Sequence, residues 1–159
     1  MKITIYCIGK LKEDYWKSAI AEYSKRISAY AELDIVEFPD IAIPASASTA
    51  IEEDIKNKEC AKILAKLKPN DYVIALDLNK KEYDSVAFAT HLDEAFARGG
   101  AAISFLIGGS LGLSDDLKKR ANESISFGKM TFPHQLARVM LLEQLYRAFR
   151  INRGEPYHK

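Results

Sequence analysis

Ile3, Ile5, Tyr6, Cys7 and Ile8 make residues 2–8 (KITIYCI) rich in strand formers, and the run stops at Gly9, the pattern of a strand closed by a turn. The rhythm then changes. Tyr15, Ala19, Ile20, Tyr23, Ile27 and Tyr30 recur at helical spacing, which predicts a helix over 13–30. Residues 32–38 (ELDIVEF) alternate polar and apolar like a strand and end at Pro39, and the following IAIPASAS, with its proline and serines, predicts a loop. Over 49–67, Ile55, Ile63, Leu64 and Leu67 share one face of a surface helix that Pro69 and Asn70 terminate.

The second half repeats the alternation. Residues 71–77 (DYVIALD) predict a buried strand, 85–97 a helix ending at Gly99 and Gly100, and 101–107 (AAISFLI) another buried strand that runs into Gly108. Ser114, followed by Asp115 and Asp116, suits the N-terminus of a short helix through 121, where the acids oppose the positive end of the helix dipole. ESISFG predicts a short strand. From 133 to about 151 the sequence is apolar on nearly every side, so that helix must be buried from several directions, and a second subunit is one candidate cover. Apolar strands alternating with helices predict an α/β fold with a mostly parallel sheet flanked by helices. Such sheets bind ligands beyond the C-terminal ends of their strands, which singles out residues 76–78, 108–112 and 127–132.

Composition narrows the classes without changing this outline. The chain has 159 residues, 48% hydrophobic and 28% charged, a length that buries about 70% of its unfolded surface around one core. A single domain over 1–159 is expected. The longest apolar stretch, 101–107, holds Ser104 and falls far short of the ~20 residues of a membrane helix, so no membrane partner is expected. Lys10 and Lys12 stand where a leader's small-residue cleavage site would be, and the two cysteines, Cys7 and Cys60, are far apart with no zinc or disulfide pattern. A reducing, cytoplasmic setting is expected.

Net charge is +1, from 23 basic and 22 acidic residues, which excludes a general polycation. The charge is uneven, however. Residues 118–159 hold nine basic residues against three acidic, a balance of +6, and the remaining 117 residues hold 14 basic and 19 acidic, a balance of −5. Arg147, Arg150 and Arg153 recur at three-residue steps, interleaved with Tyr146, Phe149 and Tyr157. Such an edge suits nucleic-acid phosphates with an aromatic ring for a flipped base, although cations near a helix C-terminus also stabilise the helix alone.

The loop IGGSLGLS is the densest glycine cluster, and Gly108, Gly109 and Gly112 at a strand end let a ligand approach the backbone. It has neither the ending of a phosphate loop nor dinucleotide spacing. It does match G-x-S-x-G, with acids and His134 and His158 following Ser110 in hydrolase order, but the helix signal comes only at Ser114, too late for a nucleophile elbow. His134, at the start of the long helix, is expected to make a local polar contact and to stay neutral at the positive dipole end. His91 is expected to be solvated. His158 lies in the terminal Tyr157-His158-Lys159, a tail that burial gives no reason to specify.

Residues 127–138 (FGKMTFPHQLAR), then 142–148 (LEQLYRA), then Pro156-Tyr157-His158 together resemble the RlmH type of ribosomal RNA methyltransferase, of the SPOUT class. Ala75-Leu76-Asp77, Ile107-Gly108-Gly109, Gly112-Leu113-Ser114 and YCIGKLK extend the resemblance over essentially the whole chain. Two positions depart: Lys80 stands where a glycine is expected, and Ser110-Leu111 where Ala-Tyr is common. The resemblance implies a SPOUT-type α/β knot, a C-terminal trefoil that the general rule against threaded chains would not produce. It further implies a homodimer through the last helix, S-adenosyl-L-methionine as cofactor, no metal, and methylation of N3 of a pseudouridine in a stem-loop of 23S ribosomal RNA on the assembled ribosome. Carried over residue by residue, Leu76, Gly108, Phe127, Gly128, Lys129, Met130, Thr131 and Phe132 would bind the cofactor. His158 is then expected to take the imide proton, Tyr157 to orient or stack on the base, and Arg153 to hold phosphate or the deprotonated ring. The competing readings are a SPOUT enzyme acting on transfer RNA, a non-catalytic RNA-binding module, and the Ser110 hydrolase.

Overall fold

The apolar runs do become strands buried on both faces. In the computed structural model, which describes residues 1–158, β1 (Lys2–Ile8), β2 (Glu32–Phe38), β3 (Tyr72–Glu82), β4 (Ala102–Ile107) and β5 (Glu123–Ser126) form one parallel sheet in the order β2-β1-β4-β3-β5. Successive side chains of a strand point to opposite faces. Ile3, Ile5 and Cys7 of β1, Ile74 of β3 and Ile103, Phe105 and Ile107 of β4 therefore pack into one layer, with Ile8, Val73, Ala75 and Leu106 in the other. The first layer is covered by α1 (Asp14–Ile27), α3 (Ser85–Arg98) and α5 (His134–Asn152), with α5 packed between the other two. The second is covered by α2 (Thr49–Leu64) and α4 (Asp115–Arg120), which supply Cys60, Ile63 and Leu117. No helix among the described residues is long and apolar enough to cross a membrane.

Several boundaries differ from the sequence pattern. β3 does not stop at Asp77 but runs to Glu82, because its polar extension keeps pairing with β5 after a register shift between Leu76 and Lys81. The shift turns at Asn79, whose φ is 55°, and Ser126 Oγ bridges it by accepting from Lys80 N at 2.7 Å and donating to Asp77 O at 2.6 Å. The expected glycine position at Lys80 is thus ordinary strand, and its neighbour Asn79 takes the left-handed conformation that asparagine tolerates. α1 and α2 each end about three residues early, and Leu64 faces solvent while Glu59 and Cys60 turn inward. Glu59 accepts from Ile41 N at 2.8 Å and so ties the proline-containing loop to α2. His91 is not solvated: it is buried, 2.8 Å from Glu123 Oε2 and stacked on Tyr83 at 4.7 Å.

α5 is buried on the side that meets the sheet, α1 and α3, and only partly covered on the rest of its apolar circumference. Leu141, Leu142, Leu145 and Ala148 are 0% exposed, and Leu136, Val139, Met140 and Tyr146 are half-buried. Truncating one such buried leucine to alanine costs about 2–5 kcal/mol. To begin α5, the chain leaves β5 at the sheet edge and crosses the C-terminal ends of β3 and β4 to reach β1. There the His134 ring lies against Gly9, so closely that a Cβ on Gly9 would come 2.8 Å from Cε1. Arg138, fully buried, donates to Gly9 O at 3.2 Å and pairs with Glu37 of β2 at 2.8 Å. This crossing is compatible with the expected trefoil knot.

Candidate functional site

The crossing brings the three strand-end segments to one place. A cavity of about 490 Å³ opens at the C-terminal ends of β3, β4 and β5, lined by Leu76, Asp77 and Leu78, by residues 107–113, and by the segment entering α5. Of the residues expected at the cofactor, Leu76, Gly108, Phe127, Gly128, Met130, Thr131 and Phe132 line it. Lys129 is exposed and takes no part in the wall.

The glycine loop holds its shape through the backbone. Gly112 N donates to Gly109 O at 3.0 Å, and Gly112 has φ 80°, a conformation that favours glycine. A Cβ on Gly108 would come 2.5 Å from the Gly112 carbonyl carbon, so the two glycines permit the close approach. Ser114 caps α4, accepting from Leu117 N at 3.2 Å. Beneath the loop, Cys60 of α2 accepts from Ser114 N at 3.3 Å, and its thiol points to Gly112 O at 3.9 Å. Burial pushes the Cys60 thiol up, so it remains a neutral donor as well as an acceptor. At the mouth, Lys118 pairs with Asp77 at 3.2 Å.

His134 lines the same cavity. Burial, and secondarily the nearby Arg138 guanidinium, push its pKa down, so the ring is neutral as its place at the start of α5 suggested. Its Nδ1 is buried with no hydrogen-bond partner among the described residues. A volume in the small-molecule range, walls of apolar side chains and glycine backbone, and an orphaned ring nitrogen fit a nucleoside-type cofactor such as S-adenosylmethionine.

Tyr157 and His158 are held by α5, and Lys159 lies outside the described residues. Tyr157 donates its hydroxyl to Glu143 Oε1 at 3.1 Å and sits edge-on to Tyr146 with ring centres 4.9 Å apart. Arg147 pairs with Glu143 at 2.7 Å, lies 4.6 Å over the Tyr157 ring, and places a guanidinium nitrogen 3.3 Å from His158 Nδ1. Burial first, then the Glu143 charge, raise the Tyr157 pKa and keep the phenol protonated. His158 does not line the first cavity. It lines a second, of about 690 Å³, between the N-terminal end of α3 and α5, which shares Ile125 and Phe127 with the first.

The arginine edge is mostly spent within the protein. Arg147 pairs with Glu143 and Arg150 with Glu155, Arg138 is buried on Glu37, and Arg120 donates to the carbonyls of Lys68 and Asp71. Arg153 stacks over Tyr30 at 4.5 Å and, like Lys119 and Lys129, has no carboxylate partner among the described residues. Counting charge could not foresee this, since the partner acids lie on other elements or one helical turn away. Ser110 lies in the Gly109–Gly112 turn, five residues before α4, and no hydrogen bond joins it to a histidine among the described residues. The nucleophile elbow of a hydrolase is therefore not formed. Cys60, Glu143 and Gln144 were not foreseen. Glu143 did carry a signal, as the one acid between Glu123 and Glu155 in a basic stretch.

A family profile described as "Predicted SPOUT methyltransferase" matches residues 1–158. Proteins named "Ribosomal RNA large subunit methyltransferase H" are similar over 159 residues, 100% of this chain and of theirs: 57% identical in Clostridium novyi, and 54% in Clostridium acetobutylicum and in Bacillus thuringiensis.

Proposed function

We propose, from the premise that this chain belongs to the SPOUT methyltransferase family, that it is an S-adenosylmethionine-dependent methyltransferase of large-subunit ribosomal RNA. The observation that carries the proposal is the convergence of Leu76, the Gly108–Gly112 turn and residues 127–132 on one cavity at the strand ends. The target we assign is N3 of a pseudouridine in a stem-loop of 23S ribosomal RNA, modified on the assembled ribosome. The half-buried Leu136 and Val139 on α5, which α1 and α3 leave partly uncovered, favour a homodimer through that helix.

S-adenosylmethionine bound in the cavity would supply an electrophilic methyl group for transfer to a ring nitrogen, leaving as S-adenosylhomocysteine. Leu76, Gly108, Phe127, Gly128, Met130, Thr131 and Phe132, which line the cavity, would hold the nucleoside part. The imide nitrogen must lose its proton, and His158 accepts it directly or through one water. Tyr157, kept as a phenol by burial and then by Glu143, orients the base. Arg153, whose guanidinium has no acid partner among the described residues, holds a phosphate or the anionic ring. Labelled S-adenosylmethionine offered to ribosomes and transfer RNA side by side tests this reading. Label is expected in large-subunit RNA, and label in transfer RNA alone overturns it.

A further inference from the structure

We infer that the second cavity, between the N-terminal end of α3 and α5, receives the target pseudouridine swung out of its stem-loop, and that Gln144 recognises its N1–H and O2 edge. The inference rests on the function proposed above and goes further by locating the acceptor and the residue that selects it.

A base in a stem-loop must leave its stack before a ring atom can react in a pocket. Its N3 must then come within about 3–3.5 Å of the methyl carbon, so the acceptor site has to adjoin the cofactor cavity. The second cavity does: Ile125 and Phe127 line both. With about 690 Å³ it has room for a nucleotide, its wall includes the apolar side chains of Val86, Ile125 and Phe127, and His158 already lines it. Two acids line it: Glu143 is paired with Arg147 at 2.7 Å and accepts from Tyr157, while the exposed Asp84 accepts from Ala87 N at the start of α3, so the more buried carboxylate is compensated by a guanidinium.

Gln144 supplies the selectivity. Its Oε1 accepts from Ser85 Oγ at 2.8 Å and its Nε2 donates to Glu143 Oε2 at 2.9 Å. A primary amide has two N–H donors and two acceptor lone pairs, so one of each remains, on a side chain that lines the cavity. Pseudouridine is joined to its sugar through C5, which leaves N1–H beside C2=O, a donor next to an acceptor that matches what Gln144 has left. In uridine N1 carries the sugar and the donor is missing. Pairing at N1 and O2 leaves N3 and O4 free for the reaction. The supplying reaction must therefore be isomerisation of a uridine in the same RNA.

Two variants test this on two large-subunit preparations, one carrying pseudouridine at the acceptor position and one carrying uridine. Val86 lines the cavity but is 51% exposed, so Val86→Trp fills the cavity without entering the core. It should keep S-adenosylhomocysteine affinity within about twofold and keep the oligomeric mass, while kcat/KM on ribosomes falls about tenfold or more. Wild-type transfer by Val86→Trp overturns the inference, as does loss of cofactor affinity or a changed mass, which would make the surface a cofactor wall or a subunit contact. Gln144→Met should lower the ratio of rates on pseudouridine and uridine ribosomes about tenfold, and an unchanged ratio in protein that still binds S-adenosylhomocysteine overturns the role of Gln144. If the wild-type protein methylates neither preparation, the proposed function fails. If it is active and the variants match it, only this inference fails.

Discussion

The sulfur of Cys60 receives the backbone N–H of Ser114 across 3.3 Å, joining α2 to the end of the glycine loop, 54 residues away in sequence. The same thiol reaches Gly112 O at 3.9 Å. A single neutral hydrogen bond contributes about 0.5–1.5 kcal/mol, so Cys60→Ala should weaken S-adenosylhomocysteine binding about three- to tenfold in calorimetry and change kcat much less. Cys60→Ser should recover most of the affinity. An unchanged dissociation constant in Cys60→Ala would mean that the thiol only fills space.

Gly108 tests the cavity itself. Because a Cβ there would meet the Gly112 carbonyl carbon at 2.5 Å, Gly108→Ala must displace backbone and not a flexible side chain. We expect cofactor binding to fall at least tenfold while the thermal midpoint shifts by only a few degrees, roughly what about 1 kcal/mol does to a domain of this size. Normal binding by Gly108→Ala would separate the loop from the cofactor.

The tail should act on chemistry and not on cofactor capture. His158→Ala and Tyr157→Phe are expected to lower the rate of methyl transfer at saturating cofactor, the first by about 10²-fold or more, the size of a general-base contribution. Cofactor affinity should stay put in both. If ribosomes are methylated at the wild-type rate by His158→Ala, the proton leaves by another route.

Glu37 carries a stability prediction. Arg138 is fully buried and Glu37 is its one charged partner among the described residues, so Glu37→Gln leaves a cation in the interior with the Gly9 carbonyl and a neutral amide. Breaking a buried pair this way costs about 3 kcal/mol or somewhat more, and the loss should be visible as a lower urea midpoint. A variant as stable as the parent would show that water reaches the guanidinium.

Acid should loosen the protein partly through His134. Its folded pKa lies below the ordinary 6.5, so the unfolded chain binds the proton more readily. Stability from this group is complete above about pH 6.5, falls as the pH drops through that value, and levels off below the folded pKa. His134→Gln should flatten the slope of unfolding free energy against pH on the acid side of 7. An identical slope in the two proteins would assign the acid sensitivity elsewhere.

Much of this arrangement was legible in the chain because it depends on local chemistry. Unbroken apolar runs make strands covered on both faces, and Gly108, Gly112 and Gly128 mark the places where backbone turns at strand ends. What could not be read depends on partners distant in sequence. The extension of β3 past Asp77 exists because β5 pairs with it, and its polar residues Asn79, Lys80 and Lys81 give no apolar signal. His91 looks like a surface residue until Glu123 is placed beside it. The arginines of α5 look available to RNA until Glu37, Glu143 and Glu155 are seen to hold three of them. Gln144 gave no hint at all, since an amide in a helix is unremarkable until its neighbours Ser85 and Glu143 leave half of its hydrogen-bonding capacity free.

The contacts of α5 with the end of β1 also impose an order in time. Arg138 and Gly9 are 129 residues apart, and the segment 127–134 that closes the proposed cofactor cavity belongs to the last fifth of the chain. Contacts of such long range form slowly, and synthesis delivers the N-terminal strands first. A nascent chain can therefore build β1 to β4 and still have no place for its cofactor. The protein gains its methyl donor site only when almost the whole of it has been made.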